Sequence, residues 1–365
     1  MTVKPTSAAG TESMKPPASQ VGVLGWIRKN LFSGVFNSIL TLLVLYLLWK
    51  IVPVLVNWAL LKSSWVASAE ECRELDGACW SIIPANLRFI IFGFFPASEQ
   101  WRPLLAMVVL VLLLFYSQNR QHWKRSLASL WGVGLLVMAV LMKGGLFGLS
   151  AVESSQWSGL PLTLMLSVFG LAAAYPLGVV LALGRQSKMP VIKSFSVIYI
   201  ELIRGVPLIS MLFMSSVVFP LFLPEGLTVN NILRAQVAII LFTAAYVAEV
   251  VRGGLQGIAQ GQYEAAESLG LNYFQTMRLI VLPQALKIVI PPTVSVLITA
   301  FKDTSLVVII ALFDLLRTSQ TVLSEPKWMG FSAEMYVFVA LIYFVCCFFM
   351  SNYSRRLERE LDTGL

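Results

Sequence analysis

The sequence predicts an all-α, polytopic membrane protein with about eight spans, and three observations carry that prediction. Of 365 residues, 57 % are hydrophobic and only 13 % charged, about half the charge of an average soluble domain. The apolar residues gather into long charge-free stretches of the length a bilayer core of roughly 30 Å requires. Lys and Arg then fall unevenly on the two sides of those stretches. A soluble enzyme is excluded, because 27 Lys and Arg with 19 Asp and Glu would leave most of its exterior apolar. Disorder is excluded by the apolar fraction, and nucleic-acid binding by the lack of a basic cluster dense enough to track phosphates, despite a net charge of +8.

Residues 1–29 are expected to form a cytoplasmic tail and interfacial lead-in, since the first 25 are rich in Pro, Ser, Thr and Gly and too poor in apolar residues to order alone. No cleavable signal peptide is expected, and the first span is read as its own targeting signal. That span begins after Lys29 and continues past Lys50 through IVPVLVNWALL. A large external loop, 62–101, follows. Its segment IIPANLRFIIFGFFP is interrupted by Pro84, Asn86, Arg88, Gly93 and Pro96, is too broken to span, and predicts a folded or interfacial cap. The gaps from Arg102 to Arg120 and from Arg125 to Lys143 predict a hairpin of two spans joined by RQHWKR. Residues 30–150 therefore read as an extension of three spans. Residues 151–365 carry five more: Leu160 to Gly184 with a kink expected at Tyr175-Pro176, Val206 to Leu223, Ala235 to Val250, Ile288 to Ile310 and Met335 to Met350.

About eight spans place both termini on one side. If that side is the cytoplasm, its segments hold sixteen Lys and Arg against eight on the other, which puts the termini inside. Glu70, Glu71, Glu74, Asp76 and Glu99 then lie in the first external loop. Cys72 and Cys79 share that loop, where an oxidising compartment permits a bridge, and two unpaired thiols are the other reading. Cys346 and Cys347 read as packing residues of the last span. The single histidine, His122, stands among basic residues without partners. No metal-ligand cluster, nucleophile or acid–base pair appears, so no catalytic residue is assigned.

Between the sixth and seventh spans, the loop 253–287 has mixed polarity. Tyr263 to Leu269 are good helix formers, Gly270 suits a left-handed C-cap, and Asn272 with Gln275 reads as a capping box opening a second short helix that ends at Pro283. The expected product is a knob of two helices, presenting Ala265 and Ala266 on one and Leu279, Ile280 and Leu282 on the other.

The residues Glu264, Ala265 and Ala266, then Gly270, then Ile280, Leu282 and Pro283 match at all seven positions the EAA loop of ABC importer permeases, which this segment resembles. An ordinary amphipathic connector is the plain alternative. From about Gly159 to Leu361 the runs GLPLTLMLS, YIELIRGVPL, AYVAEVVRGGLQ and FKDTSLV are similar to the polar amino-acid branch of those permeases, which handles histidine, glutamine and arginine. WIRKNLF, GACW and EQWRPLLA resemble the general L-amino-acid permeases. The resemblance implies a five-helix core like that of type I ABC importer permeases with three extra N-terminal helices. It also implies a bacterial inner-membrane location and an ATP-driven amino-acid importer of several chains. Those chains would be a second permease subunit, expected to differ from this one, a cytoplasmic ABC ATPase dimer docked on the EAA loop, and a periplasmic amino-acid-binding protein. No G-x-x-x-x-G-K-[ST] motif occurs, so ATP and Mg belong to the partner ATPase and no cofactor is assigned to this chain. An ion-coupled secondary amino-acid carrier is the rival, which would need inverted repeats rather than an EAA knob.

Charges at membrane depth cost about 2.5–3.5 kcal/mol each on insertion scales and usually face a cavity or one another. Glu201 with Arg204, and Glu249 with Arg252, are spaced to meet on one helix face. Lys302 and Asp303 lie within the seventh span, followed by Thr304 and Ser305. A substrate bearing both an ammonium and a carboxylate needs both signs along its pathway. The other reading makes the two Glu/Arg pairs structural clasps beneath a gate, with Gly205 and Pro207 marking a break in the chain.

Overall fold

The computed structural model describes residues 22–361, so most of the expected tail lies outside the described residues. Among the described residues there is no strand, only two isolated bridges. Seven helical stretches of the described residues are long and apolar enough to cross a membrane, or eight if one bent pair is a single span. Packing divides the chain after Ser81 into two units.

The first unit contains α1 (Gly22–Asn30), α2 (Val35–Val56) and the short α3 (Ala69–Cys72). The first span thus starts at Val35 rather than directly after Lys29, because the chain leaves α1 through a turn that ends on Gly34. A π turn over Asn57–Leu61 lengthens it to 27 residues. Ser68 and Glu71 form a capping box on α3. Cys72 and Cys79 are joined by a disulfide with Cα atoms 5.6 Å apart, and Trp80 stacks on Trp65 while its indole N–H donates to the Ala59 carbonyl.

The second unit begins with α4 (Ile82–Phe92), the interrupted segment, which is an 11-residue helix. The hairpin follows as α5 (Trp101–Ser117) and α6 (Arg125–Lys143). Both lie in the same compact unit as the helices that follow, although the sequence assigns them to the extension. α7 (Gly159–Arg185) runs as one helix through Pro176. The expected fifth span, Val206 to Leu223, is not one straight helix. α8 (Pro190–Gly205) and α9 (Leu208–Phe213) meet at 102°, because Pro207 has no N–H and holds Val206 extended at φ −106°, ψ 133°. α9 then relaxes into a π turn, Met214–Val218, and a 3₁₀ turn, Phe219–Phe222.

α10 (Asn231–Gln256) leads into α11 (Gln260–Ser268) and α12 (Tyr273–Thr276). Next comes α13 (Leu282–Asp303), which starts well before the expected Ile288 and passes at its end into a 3₁₀ helix over Thr304–Ile310. α14 (Leu315–Leu323) and the long α15 (Ser332–Leu361) complete the chain.

α7 and α10 form the centre of this unit. A Cβ on Gly178 would lie 2.6 Å from Val247 Cγ1 and 2.9 Å from the Ala244 carbonyl oxygen. Only glycine permits so close a backbone approach, and in lipid such packing of small residues, rather than expulsion of water, holds helices together. Ala174, Ala244 and Ala248 continue the seam, where α8 through Ile200 and α13 through Ala285 and Val289 join one buried cluster. A second cluster links Leu162 and Leu166 of α7 to Leu208 and Leu212 of α9 and Val307 of the 3₁₀ helix. α5 and α6 pack on α7 through Leu110, Met138 and Met165.

Candidate functional site: the coupling loop and its charged collar

The loop joining α10 to α13 is built by local chemistry. Gly270 has φ +71°, donates to the Glu267 carbonyl at 2.9 Å, and is followed by Leu271, which donates to Ala266 at 3.1 Å. That pair of bonds closes α11 and turns the chain sharply, as only a residue tolerating positive φ allows cheaply. Two residues on, the Asn272 side chain accepts from Gln275 N at 2.9 Å while the Gln275 side chain accepts from Asn272 N at 3.0 Å.

The second helix does not end at Pro283. A π turn over Met277–Val281 shifts the bonding frame so that Leu282 N–H reaches Met277 O, and Pro283 falls in the first turn of α13, where a missing N–H costs nothing. Nor are both alanines presented: Ala266 is fully buried while Ala265 is exposed. Met277, Val281 and Ala285 anchor the segment in the α7/α10 cluster, Tyr263 packs against it, and Gln284 donates to Gln262 at 3.1 Å. Burial, with Tyr273 beside it, pushes the Tyr263 hydroxyl upward. Ile280 and Leu282 are half-buried, and Pro283 and the Glu264 side chain are exposed. The outer crest is apolar: Leu269 and Phe274 are 76 % and 68 % exposed, with Tyr273 and Leu279 beside them.

Beneath the loop, α7, α8 and α10 end in a charged collar whose pairing differs from the expected one. Glu201 does not pair with Arg204; it accepts from Arg185 Nη1 at 2.8 Å. Arg204 instead faces Glu249 at 3.4 Å and lies 5.8 Å from the centre of the Tyr246 ring. Glu249 and Arg252 do meet, with Arg252 Nε donating at 3.0 Å, and Arg185 approaches Glu249 at 3.8 Å. Five charged residues on three helices thus share one centre at Glu249. Arg185, the last residue of α7, belongs to it although the sequence does not single it out as a site residue. No local pattern marks it, because its partners come from helices separated by turns and loops.

Lys302 and Asp303 close α13. Lys302 is exposed, and Asp303 is half-buried with no ion pair among the described residues. The hydroxyls of Thr304 and Ser305 donate to the carbonyls of Phe301 at 2.7 Å and Lys302 at 2.8 Å, so both are engaged on backbone rather than on the Asp303 carboxylate. Nearer the opposite end, a cavity of about 570 Å³ beside α9 is bordered by Arg234. Arg234 Nη1 donates to the Ser216 carbonyl, and its buried Nε has no acceptor among the described residues. Arg234 lies in the first turn of α10, just ahead of the expected start of that span at Ala235.

The second unit is a bundle of helices long and apolar enough to cross a membrane, and one end of it anchors a folded two-helix loop. The chain belongs to the family of binding-protein-dependent transport system inner membrane components, whose profile matches residues 174–363. It is 48 % identical over 341 residues to the inner membrane amino-acid ABC transporter permease protein YhdY of Escherichia coli (strain K12), covering 93 % of each chain. It is 40 % identical over 427 residues to the glutamate/glutamine/aspartate/asparagine transport system permease protein BztC of Rhodobacter capsulatus, covering 98 % of each. Among solved structures, an amino acid ABC transporter crystallised with histidines matches with a TM-score of 0.50 and 32 % identity, over 55 % of this chain and 92 % of that one. The protein is therefore an importer permease of the ATP-driven kind, not an ion-coupled carrier.

Proposed function

We propose that this chain passes L-amino acids across a bacterial inner membrane, receiving them from a periplasmic binding protein and releasing them to the cytoplasm by alternating access. Its similarity to amino-acid permeases supports the substrate class. In this reading the termini and the loop 253–287 are cytoplasmic, as the sixteen-to-eight distribution of Lys and Arg suggests. A second, different permease subunit completes the pathway, and two ATPase subunits, which carry ATP and Mg, dock on the loop.

The single observation that carries the proposal is the crest around Gly270. Leu269, Tyr273, Phe274 and Leu279 are exposed on a segment whose other side is fixed in the bundle core. A large apolar surface on a polar loop calls for a protein partner, and a rigid anchor lets the partner's movement reach α10 and α13 directly. The collar around Glu249 then acts as a clasp that keeps α7, α8 and α10 together while the loop is pushed. Asp303 meets the substrate ammonium, and Arg234, whose buried Nε has no acceptor among the described residues, meets its carboxylate.

Co-expression with the partner ATPase and purification through a tag on the ATPase tests the docking. The wild-type chain is expected to co-purify, and the Leu269→Ser, Phe274→Ser variant to be inserted normally yet left behind. Undiminished co-purification of that variant would contradict the proposal.

A further inference from the structure

At the end of the bundle away from the coupling loop, α6, the segment 151–157, and the first turns of α7 and α10 surround an open cavity of about 770 Å³. Its walls are apolar, with Ala139, Leu166 and Phe169 among them, and its rim carries Lys143 and Glu153. Neither charge is neutralised by an ion pair within the described residues, although Ser155 Oγ donates to Glu153 at 3.2 Å. The indole N–H of Trp157, also in the lining, is buried and has no acceptor among the described residues.

The layering matches a bilayer leaflet. Lys143 is the last residue of α6, and Glu153 precedes α7, so both stand where helices leave the hydrocarbon. From Gly159 to Phe169 the cavity wall descends about 15 Å along α7 at roughly 1.5 Å per residue, the depth of one hydrocarbon leaflet. A rim with a cation alone would favour an anionic headgroup. A carboxylate beside the cation favours a headgroup with a phosphate and a separate ammonium.

We infer that this cavity binds one glycerophospholipid bearing an amine headgroup. Lys143 faces its phosphate, Glu153 faces its ammonium, the Trp157 N–H donates to a phosphate or ester oxygen, and an acyl chain lies along Leu166 and Phe169. A free amino acid offers the same two charges but is too short to cover the apolar wall below the rim. The bound lipid fastens α6 to α7 and α10, and so holds the added hairpin on the importer core.

The test is lipid retention by the intact importer complex. The complex is purified, washed extensively in detergent, incubated with equimolar phosphatidylethanolamine and phosphatidylglycerol, and its bound phospholipid is counted by mass spectrometry. The expected result is about one phosphatidylethanolamine per copy of this chain, favoured on the order of tenfold, the factor one charge-assisted contact supplies. Lys143→Gln with Glu153→Gln, both at the exposed rim, should abolish the preference, and Ala139→Phe should lower retention of both lipids. Equal retention of the two lipids by the wild type overturns the assignment, as does retention unchanged in both variants. Binding of a radiolabelled L-amino acid to the complex that falls with Lys143→Gln while lipid retention does not would also overturn it, making the cavity an amino-acid subsite.

Discussion

Replacing Glu249 by Gln keeps the shape of the side chain and removes the charge on which the collar converges. Its carboxylate accepts from Arg252 Nε at 3.0 Å and lies 3.4 Å from Arg204 and 3.8 Å from Arg185. At an effective dielectric of about 20, one pair 3.4 Å apart attracts by roughly 5 kcal/mol before desolvation and side-chain ordering are subtracted. Measured hydrogen bonds to charged groups leave about 1.5–3 kcal/mol net. Glu249 is 26 % exposed, which screens each contact, but the substitution weakens several at once and leaves Arg204 and Arg252 without the carboxylate they share. A loss of about 2–3 kcal/mol is expected. Glu201→Gln is the control: at 56 % exposure and with one 2.8 Å ion pair, it should cost less than about 1 kcal/mol. The assay is thermal unfolding of the detergent-solubilised complex, followed by tryptophan fluorescence, together with uptake at varied substrate concentration. The clasp reading predicts a midpoint several degrees lower for Glu249→Gln, little change for Glu201→Gln, and KM within about twofold of wild type for both. A tenfold rise in KM with an unchanged midpoint would refute the reasoning and make Glu249 a substrate contact.

Gly270→Val should cost about 1–2 kcal/mol by forcing a β-branched residue to φ +71°. It should also sharply lower binding-protein-stimulated ATP hydrolysis while leaving the basal rate of the free ATPase untouched, as a phosphate-release assay would read. Gly178→Val should cost about 1–3 kcal/mol by wedging α7 from α10 where even a Cβ alone would lie 2.6 Å from Val247 Cγ1, seen as a lower yield of folded protein in fluorescence-detected gel filtration. Asp303→Asn should raise the KM of uptake at least about fivefold with the unfolding midpoint unchanged, because its carboxylate holds no ion pair among the described residues; an unchanged KM would remove it from the pathway. Reducing the Cys72–Cys79 bridge should leave uptake intact, because the bridge closes a seven-residue separation within the first unit; this is checked by uptake after Cys72→Ser, Cys79→Ser.

What was legible in the sequence was local or long. Gly270 and the Asn272/Gln275 box could be read because their geometry depends on neighbours within four residues, and Pro207 as a break because proline constrains the residue before it. Apolar length revealed the spans, but their ends shifted wherever helices ran on into loops, as α13 does through Pro283 on a π turn. Periodicity over a helix as short as α11 does not show which of Ala265 and Ala266 turns inward; that depends on the π turn packed against it. The true partners of Glu201 and Arg204 follow from the packing of α8 against α7 and α10. No spacing rule along one helix contains that information. Arg185 and Arg234 do not stand out as site residues in the sequence, since a cation near a span end looks alike whether it orients the chain or serves a site.

The central claim is that this chain moves amino acids only when a docked ATPase drives it through the loop at Gly270. Proteoliposomes holding the complete importer, with ATP enclosed on the loop side and a binding protein charged with a radiolabelled L-amino acid on the other, test it most directly. Accumulation that requires ATP, persists when ionophores collapse every ion gradient, and disappears with Leu269→Ser, Phe274→Ser is the predicted result. Accumulation by this chain without the ATPase, driven by a sodium or proton gradient, would contradict the account.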